Sequence, residues 1–320
     1  DPVDGEFVTL AEAQEQGLAE VRERGGALPP QQRLDARLGN GIRRAQSNID
    51  IGEAGASVNE LVIQNKGTRP ILVLAGTIVK GGKQDRQVGE DFIVPAGKTV
   101  PIAAFCVEHG RWTAQREGED TGGKFAAQKT LATKSVRTMA QYKSDQNAVW
   151  EQVSNVNASA GKAPSTGTLV ATIEDQDPAA RERREKAMTA VMTRFAALSQ
   201  RSPAPIGLAY AIDGKVREVR AFSHPRILGR FLETLATTVA IESDLATRQA
   251  LAAKRKVYDR AADPAAVRDL VQATSKVPEQ AANARAGNPL KKRAAKAGWN
   301  SDCFQDGKTA PVTRSFMSAE

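Results

Sequence analysis

The chain has 320 residues, which is enough for one large domain or two ordinary ones. It carries 45 lysines and arginines against 37 aspartates and glutamates, so its formal net charge is +8. That excess favours anionic partners, yet it is too small to indicate a nucleic-acid-binding protein by itself. No run reaches the roughly 20 apolar residues that a membrane-spanning helix needs, so we expect no membrane span.

The first residue and the two cysteines bear on the cellular compartment. Asp1 favours a cleaved leader, because an initiator methionine is normally retained before a side chain of that size. The expected location is therefore the periplasm or the cell exterior, although a trimmed chain gives the same first residue and leaves a cytoplasmic location as the alternative. Cys106 and Cys303 permit one disulfide or remain two separate thiols.

The N-terminal third predicts a helix followed by strands. In "FVTLAEAQEQGLAEVRE", Thr9 stands at the N-cap and Glu12 at the matching capping-box position of a surface helix. After a Gly- and Pro-rich break come four β-branched, apolar segments: "SVNELVIQN", "RPILVLAGTIV", "DFIVP" and "TVPIAAFCVE". Their connections are too short for crossover helices, so we expect a largely antiparallel sandwich or open barrel.

The middle of the chain predicts helices and one hairpin. The pattern is helical from about 126 to 153, and a second helix, "DPAARERREKAMTAVMTRFAAL", begins with the favourable pair Asp177 and Pro178. "APIGLAYAIDGKVREVRAF" predicts a β-hairpin, since Asp213 and Gly214 suit the positive-φ turn of a two-residue connection. A further helix is expected from "HPRILGRFLETLATTVAIESDLATRQAL".

The last part of the chain differs in composition. Beyond residue 250 it is rich in Ala, Lys and Arg and has few large apolar side chains. We expect peripheral helices and a poorly packed basic tail, so that truncation from about Thr274 leaves the core folded. The predicted fold class is α+β: an antiparallel β-sandwich or open-barrel core flanked by helices, with a peripheral, helical, basic C-terminal part. The predicted division is a core domain over 1–250 and an extension over 251–320.

The stretch "GGKQDR", residues 81–86, raises the first functional question. It is not a P-loop, because the spacing after Gly76 is off by one and no hydroxyl follows the lysine. It is not a dinucleotide fingerprint either, since strand and turn character follows it. A Gly-Gly turn that presents Lys83, Gln84 and Arg86 near a strand end could bind an anion or a ribose-like polyol. The alternative is a hairpin turn with solvated charges.

The stretch "CVEHGRW", residues 106–112, is the second candidate. Glu108 could act as a general acid or base, His109 as a base, Arg111 as an anion clamp and Trp112 as a stacking surface. The alternative is a strand end with an Arg–Glu pair and a buried indole. The chain has only two histidines and no Cys/His spacing that resembles a zinc site, so we expect no metal and no cofactor.

Taken together, these segments carry a family resemblance. The succession "NKGTRPILVLAGTIVKGGKQDR", "VPAGKTVPIAAFCVEHGRW", Arg137, "QNAVW" and "IGLAYAIDGKVREVRAFSHP" resembles the ARG-and-rhodanese-phosphatase-superfamily-associated domain over about residues 5–245. That family is named for its genomic association with ADP-ribosylglycohydrolases and rhodanese-phosphatases. The resemblance implies one domain of mixed strands and helices in which the two motifs meet. It implies the following site residues: Gly82, Lys83, Gln84, Arg86, Cys106, Glu108, Gly110, Arg111, Trp112, Gln146 and Trp150.

The chain departs from the family pattern at two places. It has Gly76-Thr77 where the family usually has an acidic residue after the glycine, and His109 where the family commonly has Gln. If the missing acid contributes to chemistry, the chain has kept the binding groups and lost a reaction. The second departure puts a histidine-based mechanism in doubt.

These observations lead to two expectations about function. The first is a binding module for a small anionic or nucleotide-derived, ADP-ribose-like ligand, with Lys83, Arg86 and Arg111 taking the charge and Glu108 acting as general acid or base if a reaction takes place. Gln84 and Gln146 would orient the ligand, and Trp112 or Trp150 would stack on it. The alternative is a secreted structural or interaction protein that forms homo-oligomers or binds anionic polymers through its basic surface. Nucleic acid could bind the basic tail, but the sequence does not favour it.

Overall fold

The computed structural model describes most of the chain as one set of helices and sheets. The described residues are 6–24, 60–116, 118–256, 262–280 and 288–319, so Asp1 lies outside them. Mixed helices and largely antiparallel strands confirm the predicted α+β class, with sheets flanked by helices. Among the described residues, no helix is both long enough and apolar enough to cross a bilayer.

The elements alternate unevenly along the chain, with strands at both ends and most helices between them. The strands are β1 (Val8–Thr9), β2 (Ala19–Glu23), β3 (Glu60–Asn65), β4 (Ile71–Val73), β5 (Thr77–Gly81), β6 (Arg86–Val88), β7 (Phe92–Val94), β8 (Thr99–Cys106), β9 (Gln115–Arg116), β10 (Glu119–Asp120), β11 (Phe125–Leu131), β12 (Gly207–Ile212), β13 (Lys215–Phe222), β14 (Leu290–Ala295), β15 (Gly298–Phe304) and β16 (Pro311–Ser318). The helices are α1 (Leu10–Glu15), α2 (Lys134–Thr138), a π-helical turn (Met139–Lys143), α3 (Gln146–Ser159), α4 (Val170–Ile173), α5 (Pro178–Ser199), α6 (Pro225–Ala252) and α7 (Pro264–Ser275).

A curled six-stranded sheet holds the two sequence motifs. Its strands lie in the order β11-β5-β6-β8-β3-β2, and each neighbouring pair is antiparallel. In β8 the side chains of Val100, Ile102 and Ala104 are buried, while Thr99 and Pro101, which alternate with them, are exposed. This period of two gives the sheet one face for the apolar core. Because β6 pairs with both β5 and β8, the turn before β6 and the end of β8 lie at the same edge.

A five-stranded sheet corrects the prediction for the C-terminal part. Its order is β12-β13-β16-β15-β14, so strands from 207–222 and from 290–318 form a single sheet. Val312, Phe316 and Met317 are buried, and the expected peripheral, helical tail is wrong for this segment. Ala, Lys and Arg favour helices locally, but pairing with β13 and the burial of these apolar groups decide the structure. The expected helix before the strands is confirmed by α7.

The local signals for helix starts and for the hairpin are confirmed. Thr9 and Glu12 form the predicted capping box of α1, and the Asp177 side chain caps α5. Asp213 and Gly214 both have positive φ, 52° and 76°, at the turn between β12 and β13. Each of these signals acts over three or four residues, which is why the sequence alone reveals it.

Two predicted helices are longer than the real ones, and the two thiols stay apart. The N-terminal helix ends at Glu15, since the residues from Ala19 pair with β3 as a strand. The helical region expected from about 126 to 153 begins with the strand β11, because this segment pairs with β5. Cys106 and Cys303 are both free and buried.

Candidate functional site

The glycine pair of the first motif is required by close packing. Gly82 has φ +48°, and a Cβ built on it would stand 2.1 Å from the ring of Phe125. A Cβ on Gly81, at φ +136°, would stand 2.2 Å from the carbonyl oxygen of Lys124. Gly82 therefore allows the turn to pack directly against β11. The residue itself is buried.

The two motifs meet, as the sequence predicts. The side-chain amide of Gln84 donates to the carbonyl oxygen of Glu108 at 2.9 Å. The backbone N–H of Asp85 donates to Oε2 of Glu108, also at 2.9 Å. The turn before β6 and the end of β8 thus share one set of hydrogen bonds, which we call the motif cluster: Gln84, Asp85, Arg86, Glu108, Arg111 and Arg116.

The two carboxylates of the motif cluster are paired with arginines. Arg111 donates to the Glu108 carboxylate through Nε at 3.0 Å and through NH2 at 2.8 Å. Its remaining N–H groups reach the carbonyl oxygens of Gly82, at 2.7 Å, and Gly81, at 3.0 Å. Glu108 is 1% exposed and Arg111 6% exposed. The carboxylate suggested as an acid or base and the guanidinium suggested as an anion clamp are therefore bound to each other.

Asp85, which the sequence analysis did not single out, is the second buried carboxylate of the cluster. Arg116 pairs with its Oδ1, and the hydroxyl of Thr168 donates to its Oδ2 at 2.7 Å. The N–H of Gly81 donates to Oδ1 at 3.0 Å. Asp85 therefore ties the turn to two other segments of the chain, and its place within "GGKQDR" was the signal that could have found it.

The two basic residues of "GGKQDR", Lys83 and Arg86, differ in burial. Arg86 is buried; its NH1 donates to Oε1 of Gln84 at 2.8 Å and contacts the sulfur of Cys106. Burial raises the pKa of the Cys106 thiol, so this sulfur stays protonated at neutral pH. Lys83 is exposed, and its backbone N–H donates to Glu23 at 3.1 Å. Arg86 thus braces the interior, while Lys83 points its charge into solvent.

The aromatic and amide candidates have three separate environments. Trp112 is 54% exposed, so of the two alternatives for this residue the buried indole is not found. The Trp150 ring meets His109 edge-on, at 4.5 Å between ring centroids, beside a surface groove of about 490 Å³. The Gln146 side chain bonds both backbone groups of Cys106, at 2.8 and 2.9 Å. Gln146 therefore joins α3 to β8, whereas Trp150 and His109 border a groove.

A second cleft, which the sequence analysis did not propose, lies between α2, α3, α6 and the β12–β13 hairpin. We call it the hairpin cleft; its volume is about 440 Å³. It is lined by Thr133, Lys134, Ser135, Gln152, Asn155, Val156, Ser159, Ile212, Asp213, Lys215, Arg217, Glu242, Leu245, Ala246, Gln249 and Arg255. Four of these residues are cationic and two are acidic. Lys215 and Arg217 alternate in "DGKVREV", and that period-two placement of charge on one face of a strand was the available signal.

Lys134 is the most buried cation of the hairpin cleft. It is 5% exposed, and burial together with the nearby Arg217 lowers its pKa to about 8, although the Glu242 carboxylate acts in the opposite direction. Glu242 is itself fixed: it accepts the backbone N–H of Lys134 and, at 2.8 Å, the hydroxyl of Tyr210. The cleft therefore combines a poorly solvated amine with a positioned carboxylate.

Beneath the cleft runs a chain of buried ion pairs. Arg137 donates to both oxygens of Glu218, at 2.9 and 2.6 Å, and Arg220 donates to Asp91 at 3.1 Å. Burial raises the pKa of Glu218, but Arg137 and Arg220 outweigh it and hold the value at about 2. A Cβ on Gly76 would stand 2.0 Å from Cδ of Arg137, so this glycine makes room for the pair. Among the described residues, no group of three or more His, Cys, Asp or Glu is placed to hold a metal ion.

One known protein family matches most of the chain. The model of the ARG and Rhodanese-Phosphatase-superfamily-associated Protein domain matches residues 2–308. The chain belongs to this family. The match includes both motifs, the buried Arg137 and most of the five-stranded sheet, so the family assignment extends well beyond the residues that first suggested it. No curated protein and no solved structure matches the chain with significance.

Proposed function

We propose that this protein binds a small anionic ligand in the hairpin cleft. The observation that carries the proposal is the charge of the lining: Lys134, Lys215, Arg217 and Arg255 against Asp213 and Glu242. A cleft lined mainly by one sign of charge raises the local concentration of ligands of the opposite sign. Its volume of about 440 Å³ falls within the range of small-molecule sites.

The motif cluster is a weaker candidate for the same role. Its two carboxylates, Glu108 and Asp85, already hold Arg111 and Arg116. An incoming anion would have to displace a buried carboxylate from its partner, and leaving a buried charge unpaired costs about 3–5 kcal/mol. We therefore assign the motif cluster the structural role of joining two strand ends, and the anion to the hairpin cleft.

Neutral polar groups extend the cleft beyond its charged part. Ser135, Gln152 and Asn155 line it, and Gln249 donates to the Ser159 hydroxyl at 2.9 Å. Amides and hydroxyls of this kind hydrogen-bond to the hydroxyl groups of a sugar. A phosphorylated sugar or an ADP-ribose-like molecule therefore suits both parts of the cleft, and the family's association with ADP-ribosylglycohydrolases makes ADP-ribose the first ligand to test.

A thermal-shift screen tests the proposal. Inorganic phosphate, ribose 5-phosphate, AMP and ADP-ribose are each added, because a ligand that binds only the folded state raises the free energy of unfolding by about 2.7 kcal/mol at 100 times its Kd. At least one of them should raise the melting temperature of the wild type. The same ligand should give a reduced shift with Arg217→Ala and an unchanged shift with Lys83→Ala, which removes an exposed charge of "GGKQDR". A shift that Lys83→Ala abolishes and Arg217→Ala preserves would move the site to the motif.

A further inference from the structure

Arg86, in the motif cluster, is a buried arginine that forms no ion pair with any described residue. Its side chain is 4% exposed. The other buried arginines of the described residues each hold a buried carboxylate: Arg111 holds Glu108, Arg137 holds Glu218 and Arg220 holds Asp91. Burying a charge is costly unless the charge is paired. The structural role of the motif cluster explains Arg111, but it leaves the burial of Arg86 unexplained.

The motif cluster as a whole carries one excess positive charge. It contains three arginines, Arg86, Arg111 and Arg116, and two carboxylates, Asp85 and Glu108. Both carboxylates are buried and already lie in ion pairs with Arg111 and Arg116. One singly charged anion beside Arg86 would balance the cluster, whereas a phosphate dianion would leave a second charge buried without a partner.

The guanidinium of Arg86 has one edge without an acceptor. Its NH1 donates to Oε1 of Gln84 at 2.8 Å and contacts the sulfur of Cys106. Nε is buried and has no hydrogen-bond partner, and NH2 donates to no group among the described residues. The N–H groups of Nε and NH2 point the same way, at the spacing of the two oxygens of a carboxylate. The edge that remains therefore has the shape that a planar carboxylate fits.

This edge of Arg86 lies in surroundings of low polarity. Val79 of β5 and Cys106 of β8 stand directly opposite Arg86, so the three side chains share one face of the curled sheet. Val79 belongs to the apolar core on that face. Glu23 has a carboxylate at the same end of the sheet, but that carboxylate accepts the backbone N–H of Lys83 at 3.1 Å. Low polarity strengthens a charged hydrogen bond that is formed here.

We propose that Arg86 binds a small monocarboxylate through its Nε and NH2 groups, at a site separate from the hairpin cleft. Two parallel N–H···O bonds hold the anion, and its single charge balances the motif cluster. Formate and acetate are the first candidates, because the small exposed fraction of Arg86 favours the smallest acids. No covalent bond forms or breaks. The inference does not depend on the proposed function, since the cations of the cleft take no part in it.

Thermal unfolding of the whole chain in sodium formate, sodium acetate and sodium chloride of equal ionic strength tests the inference. A ligand that binds only the folded state raises stability, and the effect follows its binding curve. We expect formate or acetate to raise the melting temperature of the wild type above the chloride value, with half of the effect at one defined concentration. Equal melting temperatures in the three salts would overturn the proposal.

Three variants separate Arg86 from other charges. Arg86→Lys keeps the charge but loses the two-pronged edge, so it should weaken carboxylate binding by about 10–100-fold. Lys83→Ala removes an exposed charge of the same motif, and Arg255→Ala removes an exposed charge of the hairpin cleft. Both should respond to carboxylate like the wild type. A response that persists unchanged in Arg86→Lys would be a general salt effect and would contradict the site.

NMR of the arginine Nε–H groups decides the question even if Arg86→Lys does not fold. The Arg86 signal is assigned in the wild type through its own backbone resonances. Formate should shift this signal, because Nε gains an acceptor, and should leave the Arg111 signal in place, because that Nε already donates to Glu108 at 3.0 Å. If the Arg86 signal does not move at saturating formate, the site does not exist, and the proposed function of the hairpin cleft is unaffected.

Discussion

The motif cluster and the hairpin cleft both contain several basic side chains, and they differ in the carboxylates and the space around them. In the cluster, Arg111 and Arg116 meet the buried carboxylates of Glu108 and Asp85. In the cleft, four cations face two acids across a space of about 440 Å³. The number of basic residues in a conspicuous stretch of sequence is therefore a poor guide to binding. The net charge around an accessible space is the better one.

The two regions also differ in how the chain assembles them. Arg111 reaches Glu108 from three residues away, so one short segment contains both the charge and its partner. The cleft takes Lys134, Arg217 and Arg255 from three distant parts of the chain. The charge of the cleft therefore depends wholly on tertiary structure, whereas the Glu108–Arg111 pair of the cluster is local. Truncation, substitution and changes of pH each test this contrast, from the largest expected effect to the smallest.

Truncation after Ser275 should unfold the protein. It removes β14, β15 and β16, with the buried side chains of Val312, Phe316 and Met317. Burial of each such side chain contributes about 1.5–3 kcal/mol, and their sum is comparable to the whole stability of a typical domain, about 5–15 kcal/mol. The measurement is cooperative thermal unfolding. A truncated chain with an unchanged transition would contradict the five-stranded sheet and with it the position of the hairpin at the cleft.

Arg111→Ala should destabilise the protein by about 3–5 kcal/mol, because it leaves the buried Glu108 carboxylate without its partner. Lys83→Ala, in the same motif but exposed, should change the free energy of unfolding by less than about 0.5 kcal/mol. Urea denaturation of the two variants measures both values. Equal, small effects would mean that the cluster does not brace the fold, and the contrast with the cleft would then disappear.

Acid should weaken the ion pairs beneath the cleft. The folded pKa of Glu218 is about 2, below its ordinary 4.5, so its contribution is complete above about pH 5 and disappears as the pH falls towards 2. The difference corresponds to about 3 kcal/mol. Glu218→Gln should therefore be less stable than the wild type at neutral pH, and the gap should close in acid. A gap that stays constant from neutral pH to pH 2 would show that the carboxylate charge is not what holds Arg137.

Raising the pH above about 8 should have the smallest effect on the free energy of unfolding. Acid lowers this free energy, whereas alkali should raise it. The folded pKa of Lys134 is lowered to about 8, so between about pH 8 and 10.5 the unfolded chain holds a proton that the folded chain has released. The stability of the wild type should rise relative to Lys134→Met, by about 1 kcal/mol from about pH 8 to about 9. Chemical denaturation at a series of pH values measures it. A flat difference would mean that the amine is ordinarily solvated.

Much of the fold could be predicted from local sequence. The Thr9 cap, the Asp177 cap and the Asp213-Gly214 turn depend on a few neighbouring residues and are confirmed. The strands of the C-terminal part could not be predicted in this way, because Lys292 and its neighbours favour a helix until β14 pairs with β15. Pairing between segments far apart in sequence decided this region, and periodicity within one segment does not reveal it.

The candidate site was predictable only in part. The meeting of Gln84 with Glu108 follows from two strand ends at one sheet edge, and it is confirmed. The pairing of Arg111 with Glu108 was one of two alternatives, and it depends on the folded position of both side chains, which the sequence does not give. The hairpin cleft was missed because Lys134 lies within an unremarkable helical stretch. Its burial beside Arg217 depends on how α2 packs against the hairpin.

The most direct test of the central claim is calorimetric titration of ribose 5-phosphate into three proteins: the wild type, Lys215→Ala combined with Arg217→Ala, and Lys83→Ala combined with Trp112→Ala. Both double variants change exposed or partly exposed side chains, and their folding is checked by melting. We expect the Lys215→Ala/Arg217→Ala protein, the cleft variant, to bind with a Kd raised by about 10–100-fold for each cationic contact to the ligand that is lost. The Lys83→Ala/Trp112→Ala protein, the motif variant, should bind like the wild type. Abolished binding in the motif variant with unchanged binding in the cleft variant would contradict it.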